Sequence, residues 1–132
     1  MKGYVLDTDT CIHILRGNAQ VIRQRRSCYL EVVTTEITAS ELYYGAAFSS
    51  FPSQRKAQVD AFLETIKVVP VGRYGAQFFG GFKAQLRKAG MLIPDADLWI
   101  GSIARSLDYA VVTGNDKHMG RIPGLKTVNW IY

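Results

Sequence analysis

The reading of Tyr4-Val5-Leu6-Asp7-Thr8-Asp9-Thr10-Cys11-Ile12 decides the fold. Tyr4 to Leu6 is short, apolar and β-prone, the mark of a buried strand. Asp7 closes it. Thr8 or Asp9 can then cap a helix that carries Ile12, Ile14 and Leu15. A strand that passes directly into a helix is the opening of an α/β chain.

The same alternation continues outward. Gly17-Asn18 breaks the first helix, and a basic helical segment with Arg23, Arg25 and Arg26 follows. Leu30 to Thr34 reads as a second strand. Thr38 or Ser40 can cap a helix that begins near Glu41 and runs through Ala47. After the turn at Phe51-Pro52-Ser53, Val59, Phe62, Leu63 and Ile66 fall at i, i+3, i+4 and i+7, one face of a helix. Val68 to Val71 is a short strand, and Tyr74 to Ala89 is helical, with Gly90 suited to its end. Gly80-Gly81 inside that helix costs about 1 kcal/mol per residue relative to Ala, which points to close packing there. Pro94 precedes a helix whose stripe is Ile100, Ile103, Ala104 and Leu107. Ala110 to Thr113 and Lys126 to Trp130 complete the strands. The expected architecture is a single α/β domain over residues 1–132 on a mostly parallel sheet, without linker or repeat.

Three acids stand beside these apolar runs: Asp7, Glu41 and Asp97. A carboxylate next to a core segment is costly to desolvate unless something pairs with it. In an open parallel sheet, ligand sites form beyond the carboxyl ends of the strands. Asp7 follows the first strand; Asn115 and Asp116 follow Val111-Val112-Thr113. Glu41 and Asp97 read as first-turn helical residues, so both can face that edge. Carboxylates without histidine suit a hard divalent ion, Mg²⁺ or Mn²⁺. Such ions bind a scissile phosphate, activate water and stabilise the leaving oxygen.

Composition agrees. The chain has 132 residues, with 16 Lys and Arg against 11 Asp and Glu, a formal charge of +5. A basic body with its acids gathered at a few places favours phosphate-rich partners. Apolar residues make up 48% and charged residues 20%, as in globular domains. No apolar run reaches the roughly 18–20 residues of a membrane span, and the N-terminus lacks a signal-peptide layout, so a cytoplasmic location is the expectation. Cys11 and Cys28 form no metal-finger spacing and read as small core residues. There is no GxxxxGK[ST], GxGxxG or GxSxG motif.

Four segments together resemble a known family. They are Val5-Leu6-Asp7-Thr8-Asp9-Thr10, Thr38-Ala39-Ser40-Glu41-Leu42-Tyr43-Tyr44-Gly45-Ala46, Ile93-Pro94-Asp95-Ala96-Asp97-Leu98-Trp99-Ile100 and Val112-Thr113-Gly114-Asn115-Asp116. In this order and spacing they are similar to the motifs of PIN-domain ribonucleases, with the best match to VapC-type toxins of toxin–antitoxin pairs. The resemblance implies a PIN-like three-layer sandwich, with helices on both faces of the sheet. It implies that Asp7, Glu41 and Asp97 hold Mg²⁺ or Mn²⁺ and that the chain cleaves RNA, often tRNA. It further implies control by a small VapB-type antitoxin, and a homodimer. Asn115 departs from the pattern, because many members carry an acid there. A rival reading therefore keeps the fold but binds RNA or protein without cutting.

Other residues are secondary candidates. Thr8, Thr113 and Asn115 can hydrogen-bond a ligating carboxylate or a phosphate. Asp116 is a loop acid or a supporting group, and Asp95 is the expected N-cap of its helix. Asp9 reads as a capping residue. Lys117 and Arg121 can hold an RNA backbone. His13 and His118 read as surface or interface residues, and Phe78, Phe79 and Phe82 as core or dimer contact.

Overall fold

Alternate residues of a strand face opposite ways, and here that alternation divides the protein into layers. The computed structural model describes residues 1–132. Its strands are β1 (Gly3–Leu6), β2 (Glu31–Thr35), β3 (Lys67–Val69), β4 (Ala110–Val112) and β5 (Thr127–Val128). The helices are α1 (Thr8–Leu15), α2 (Ala19–Ser27), α3 (Glu36–Phe48), α4 (Pro52–Leu63), α5 (Gly72–Lys88), α6 (Asp95–Leu107) and α7 (Asp116–Met119). All strand pairs are parallel, in the order β3-β2-β1-β4-β5. The sheet is thus wholly parallel, and β1 lies at its centre. Val5 stands level with Val33 on one side and Val111 on the other.

Val5, Val33, Val69 and Val111 face one layer, where Phe82, Leu86, Leu98, Ile100, Ile103 and Met119 of α5, α6 and α7 cover them. Leu6 and Val112 face the other, covered by Cys11, Val21, Leu42, Ala46, Val59 and Phe62 of α1 to α4. Two hydroxyls tie the layers to strand ends. Thr10 donates to the Val112 carbonyl (3.0 Å) and Thr34 to the Leu6 carbonyl (2.9 Å). Cys11 is fully buried, and burial pushes its thiol up to about 12; Cys28 is a half-buried free thiol. No helix is long and apolar enough to cross a membrane.

Several boundaries differ from the sequence reading. Helix α3 begins at Glu36, five residues before Glu41, because Thr35 caps it by accepting from the Thr38 N–H. Glu36 Oε1 also accepts from the Val71 N–H (3.0 Å). Glu41 therefore lies beyond the first turn. Helix α4 ends at Leu63, and Ile66 is buried in the connection to β3. Strand β5 is only two residues long, and α7 is a short helix that the pattern did not reveal. Side chains added at Gly80 or Gly81 would meet only open space, so close packing does not explain those glycines.

Gly101 does meet a packing demand. A Cβ there would come within 2.2 Å of Ile122 Cδ1 and 3.3 Å of Leu125 Cδ2. Ile122 is buried and cannot step aside freely. Gly101→Ala is expected to cost about 1–3 kcal/mol, the usual penalty of overpacking, visible as a lower Tm in thermal melts.

Candidate active site at the carboxyl ends of the strands

Asp7 sits where β1 ends, at the centre of the sheet edge. Its main-chain N–H donates to the Val112 carbonyl (3.1 Å). Its side chain is the N-cap of α1, with Oδ1 accepting from the Thr10 N–H at 2.9 Å. The cap is thus Asp7 itself, rather than Thr8 or Asp9. The residue is only 4% exposed. Burial pushes its carboxyl above the ordinary carboxylate value, and the charge of Asp9 adds to that. The Thr113 hydroxyl and the Thr10 N–H pull the other way without cancelling the shift.

Glu41 reaches the same edge from α3. Its carboxylate accepts from the Thr8 hydroxyl at 2.5 Å, and Thr8 Oγ1 lies 3.1 Å from Thr38 Oγ1. Glu41 is exposed, so holding its charge there costs little. Because Thr8 follows Asp7 directly, α3 is tied to the residue next to the buried acid.

Asp97 arrives from the first turn of α6. His118 Nδ1 donates to its Oδ2 at 2.9 Å. Asn115 caps α7, its Oδ1 accepting from the His118 N–H at 3.4 Å, and its Nδ2 stands 2.9 Å from the same ring nitrogen. The Asn115 N–H donates to Thr113 Oγ1 (2.8 Å). Contacts thus join Glu41 to Thr8, the neighbour of Asp7, and join Thr113 through Asn115 and His118 to Asp97. His118, which the sequence suggested only as a surface or interface residue, stands at this edge beside Asp97.

The other candidates fare differently. Asp95 does not cap α6; Pro94 occupies that position, and Asp95 pairs with Lys83 (3.1 Å). Asp116 accepts from the Thr127 hydroxyl (2.8 Å), a tie to β5. Asp9 is exposed, and its Oδ2 stands beside Gly114. Lys117 is exposed, whereas Arg121 Nη1 donates to the Met91 and Leu92 carbonyls. Phe79 stacks on Trp99 at 3.7 Å between centroids, while Phe82 belongs to the core. His13 pairs with Asn18.

As the side chains stand, no three His, Cys, Asp or Glu residues form a group able to hold a metal ion. Glu41 is engaged by Thr8 and Asp97 by His118. The donors at this edge are nonetheless carboxylate, hydroxyl and amide oxygens, the chemistry that hard divalent cations prefer. A desolvated carboxylate at its centre is the group that a cation would most relieve. Beside Glu41, an open groove of about 340 Å³ runs between α1, α3 and α4, with Ile12, Leu15, Leu42, Ala46 and Val59 in its walls and Arg16 and Arg55 at its rim.

Comparison with known proteins agrees with this arrangement. The PIN domain family model matches residues 4–125. Ribonuclease VapC2 of Haemophilus influenzae is 32% identical, over 99% of this chain and 100% of its own length. The tRNA(fMet)-specific endonuclease VapC of Salmonella typhimurium is 31% identical over 98% and 99%. Among solved structures, DNA-bound VapBC of Salmonella typhimurium superposes with a TM-score of 0.90 at 31% identity, covering 98% of this chain and 99% of that one. VapBC2 of Rickettsia felis, bound to a promoter DNA fragment, gives 0.91 at 25% identity, covering 96% and 98%. The fold, the matched span and the full-length similarity lead to one conclusion: this chain belongs to the PIN-domain family, among the VapC ribonucleases.

Proposed function

We propose that the chain is a divalent-metal-dependent endoribonuclease, the toxin of a VapBC-type pair, acting on RNA in the cytoplasm. The observation that carries this reading is the buried, desolvated Asp7 at the end of the central strand, with acids from α3 and α6 linked to the same edge. Asp7, Glu41 and Asp97 would hold Mg²⁺ or Mn²⁺. When bound, such an ion neutralises the scissile phosphate and makes water a better nucleophile.

The chain's own groups set the geometry for that chemistry. The Thr10 N–H holds Asp7 in the cap of α1, so its side chain is already oriented when substrate arrives. Thr8 keeps Glu41 at the start of α1. Lys117, exposed on α7, offers a cation for a neighbouring phosphate. Attack by water on phosphorus, with the P–O3′ bond breaking and the 3′-oxygen leaving with a proton, would give 5′-phosphate and 3′-hydroxyl ends. The relative named a tRNA(fMet)-specific endonuclease makes tRNA the first substrate to examine. The groove beside Glu41 suits an apolar segment of a small VapB-type antitoxin, which would cover the acids when seated. A second copy of the chain is the other expected partner.

Incubated with a tRNA pool and Mg²⁺ or Mn²⁺, the protein should give discrete fragments on a denaturing gel. EDTA should stop cleavage and added metal restore it; fragments that persist unchanged in EDTA would overturn the metal reading. A folded protein that binds the RNA without ever cutting it would favour the binding-module alternative.

Asp7→Asn separates activity from stability. Asn keeps an N-cap oxygen but removes the anion, so cleavage should fall to background. Burial holds the folded-state pKa of Asp7 above its unfolded value, so ionising it opposes folding. That penalty is absent below the unfolded pKa, grows as pH rises from the unfolded value to the folded one, and is complete above the folded one. Asp7→Asn should therefore have a higher Tm than the parent at pH 7, with the gap closing in acid. A lower Tm at neutral pH would contradict the desolvation argument.

A further inference from the structure

Resting on the ribonuclease reading above, we propose that Tyr44 and Phe48 of α3 form a stacking platform for unpaired bases beside the cut, so that the substrate is a single-stranded stretch of RNA rather than a duplex. The placement follows from helix geometry. At about 100° per residue, Glu41, Tyr44 and Phe48 share one arc of α3. Tyr44 lies about one turn, and Phe48 about two turns, beyond Glu41. The helix itself crosses the end of the sheet. Ile37 packs against the layer of α5 to α7, and Leu42 and Ala46 against that of α1 to α4. The arc that starts at Glu41 therefore runs outward from the acids. Both rings on it are uncovered: Tyr44 is 69% exposed and Phe48 81%. They lie nearly parallel, with centroids 6.0 Å apart and planes within 16°. Folding leaves most of their apolar area in water, which a flat partner would cover.

Charge indicates which flat partner. Arg16 and Arg55, both exposed, line the same groove as Glu41 and Gly45, and Gly45 adjoins Tyr44. Arg55 Nη1 donates to the neutral Gln58 (3.1 Å), so its charge is not cancelled there. Asp60, the one acid of α4, is already paired with Lys56 at 2.9 Å and bonded by the Tyr43 hydroxyl. Exposed rings with guanidinium groups beside them are the combination that holds single-stranded nucleic acid: the cations follow phosphates and the rings take bases. A ring can take a base only where that base is free of its own stack. In an A-form duplex the bases are stacked, and the grooves shield their faces. The apolar walls of the groove are other residues, Leu42 and Ala46 among them, so the aromatic arc is a separate surface of α3.

The test compares three RNAs of one sequence around a mapped cut: an unpaired oligonucleotide, the same strand with abasic sites flanking the cut, and a blunt duplex. Cleavage is followed with Mg²⁺, binding by fluorescence anisotropy in EDTA, and oligomeric state by sedimentation. The parent should cut the unpaired strand and spare the duplex. Tyr44→Ala and Phe48→Ala should each raise KM on that strand about 5-fold or more, with kcat nearly unchanged. Tyr44→Phe and Phe48→Tyr, which keep a ring, should stay near the parent. On the abasic strand the parent should fall to the level of the alanine variants, and those variants should lose nothing further. Equal losses on both strands, unchanged KM in both alanine variants, or ready cutting of the duplex would overturn the platform and leave the nuclease reading standing. Alanine variants that lose a dimer formed by the parent, with RNA kinetics otherwise unmoved, would assign the arc to a second copy and overturn it too. So would variants that lose only the antitoxin. If the parent cuts no RNA, the nuclease reading falls, and the difference between complete and abasic strands in EDTA decides the platform alone.

Discussion

A carboxylate is kept out of water at the end of the central strand, and the rest of the site is arranged around that constraint. Asp7 cannot leave: its main chain is bonded to β4 and its side chain starts α1. Nor can it be comfortable, since the hydrogen bonds it accepts do not offset its desolvation. A folding chain tolerates such a group only where the surrounding scaffold is strong. Here the scaffold is a five-stranded parallel sheet with β1 at its centre and packed helices on both faces.

The parallel topology explains why distant residues meet at this edge. Every strand points the same way, so every strand-to-helix passage opens on the same side. Asp7 marks the passage from β1, Thr35 that from β2, and Thr113 to Asn115 the stretch after β4. Short hydroxyl and amide contacts then bind these passages together. They use Thr8, Thr10, Thr113 and Asn115, all small polar side chains.

Much of this was legible in the residues. The apolar run ending at Asp7 gave away β1 and its acid, and the stripe from Ile100 to Leu107 gave away α6. Helix α3 was placed too late because Ile37 and Thr38 are β-branched and several hydroxyl residues there compete to be the cap. Helix α7 was invisible because four residues cannot show a helical period. The contact of His118 with Asp97 was hidden for a different reason. The two lie 21 residues apart, and no local pattern announces a contact made across two helices. Asp95 was assigned a cap because of its position, but Lys83 on α5 took it instead. Nothing in the packing accounts for Gly80-Gly81.

The two thiols live in very different surroundings. Cys11 is sealed in the layer of α1 to α4, held so far from ionisation that almost no thiolate forms near neutral pH. Alkylating dyes and mild oxidants react with thiolate, so they should pass it by. Cys28, half open to solvent in the turn before β2, is then the natural place to attach a single fluorophore, with no cysteine removed beforehand.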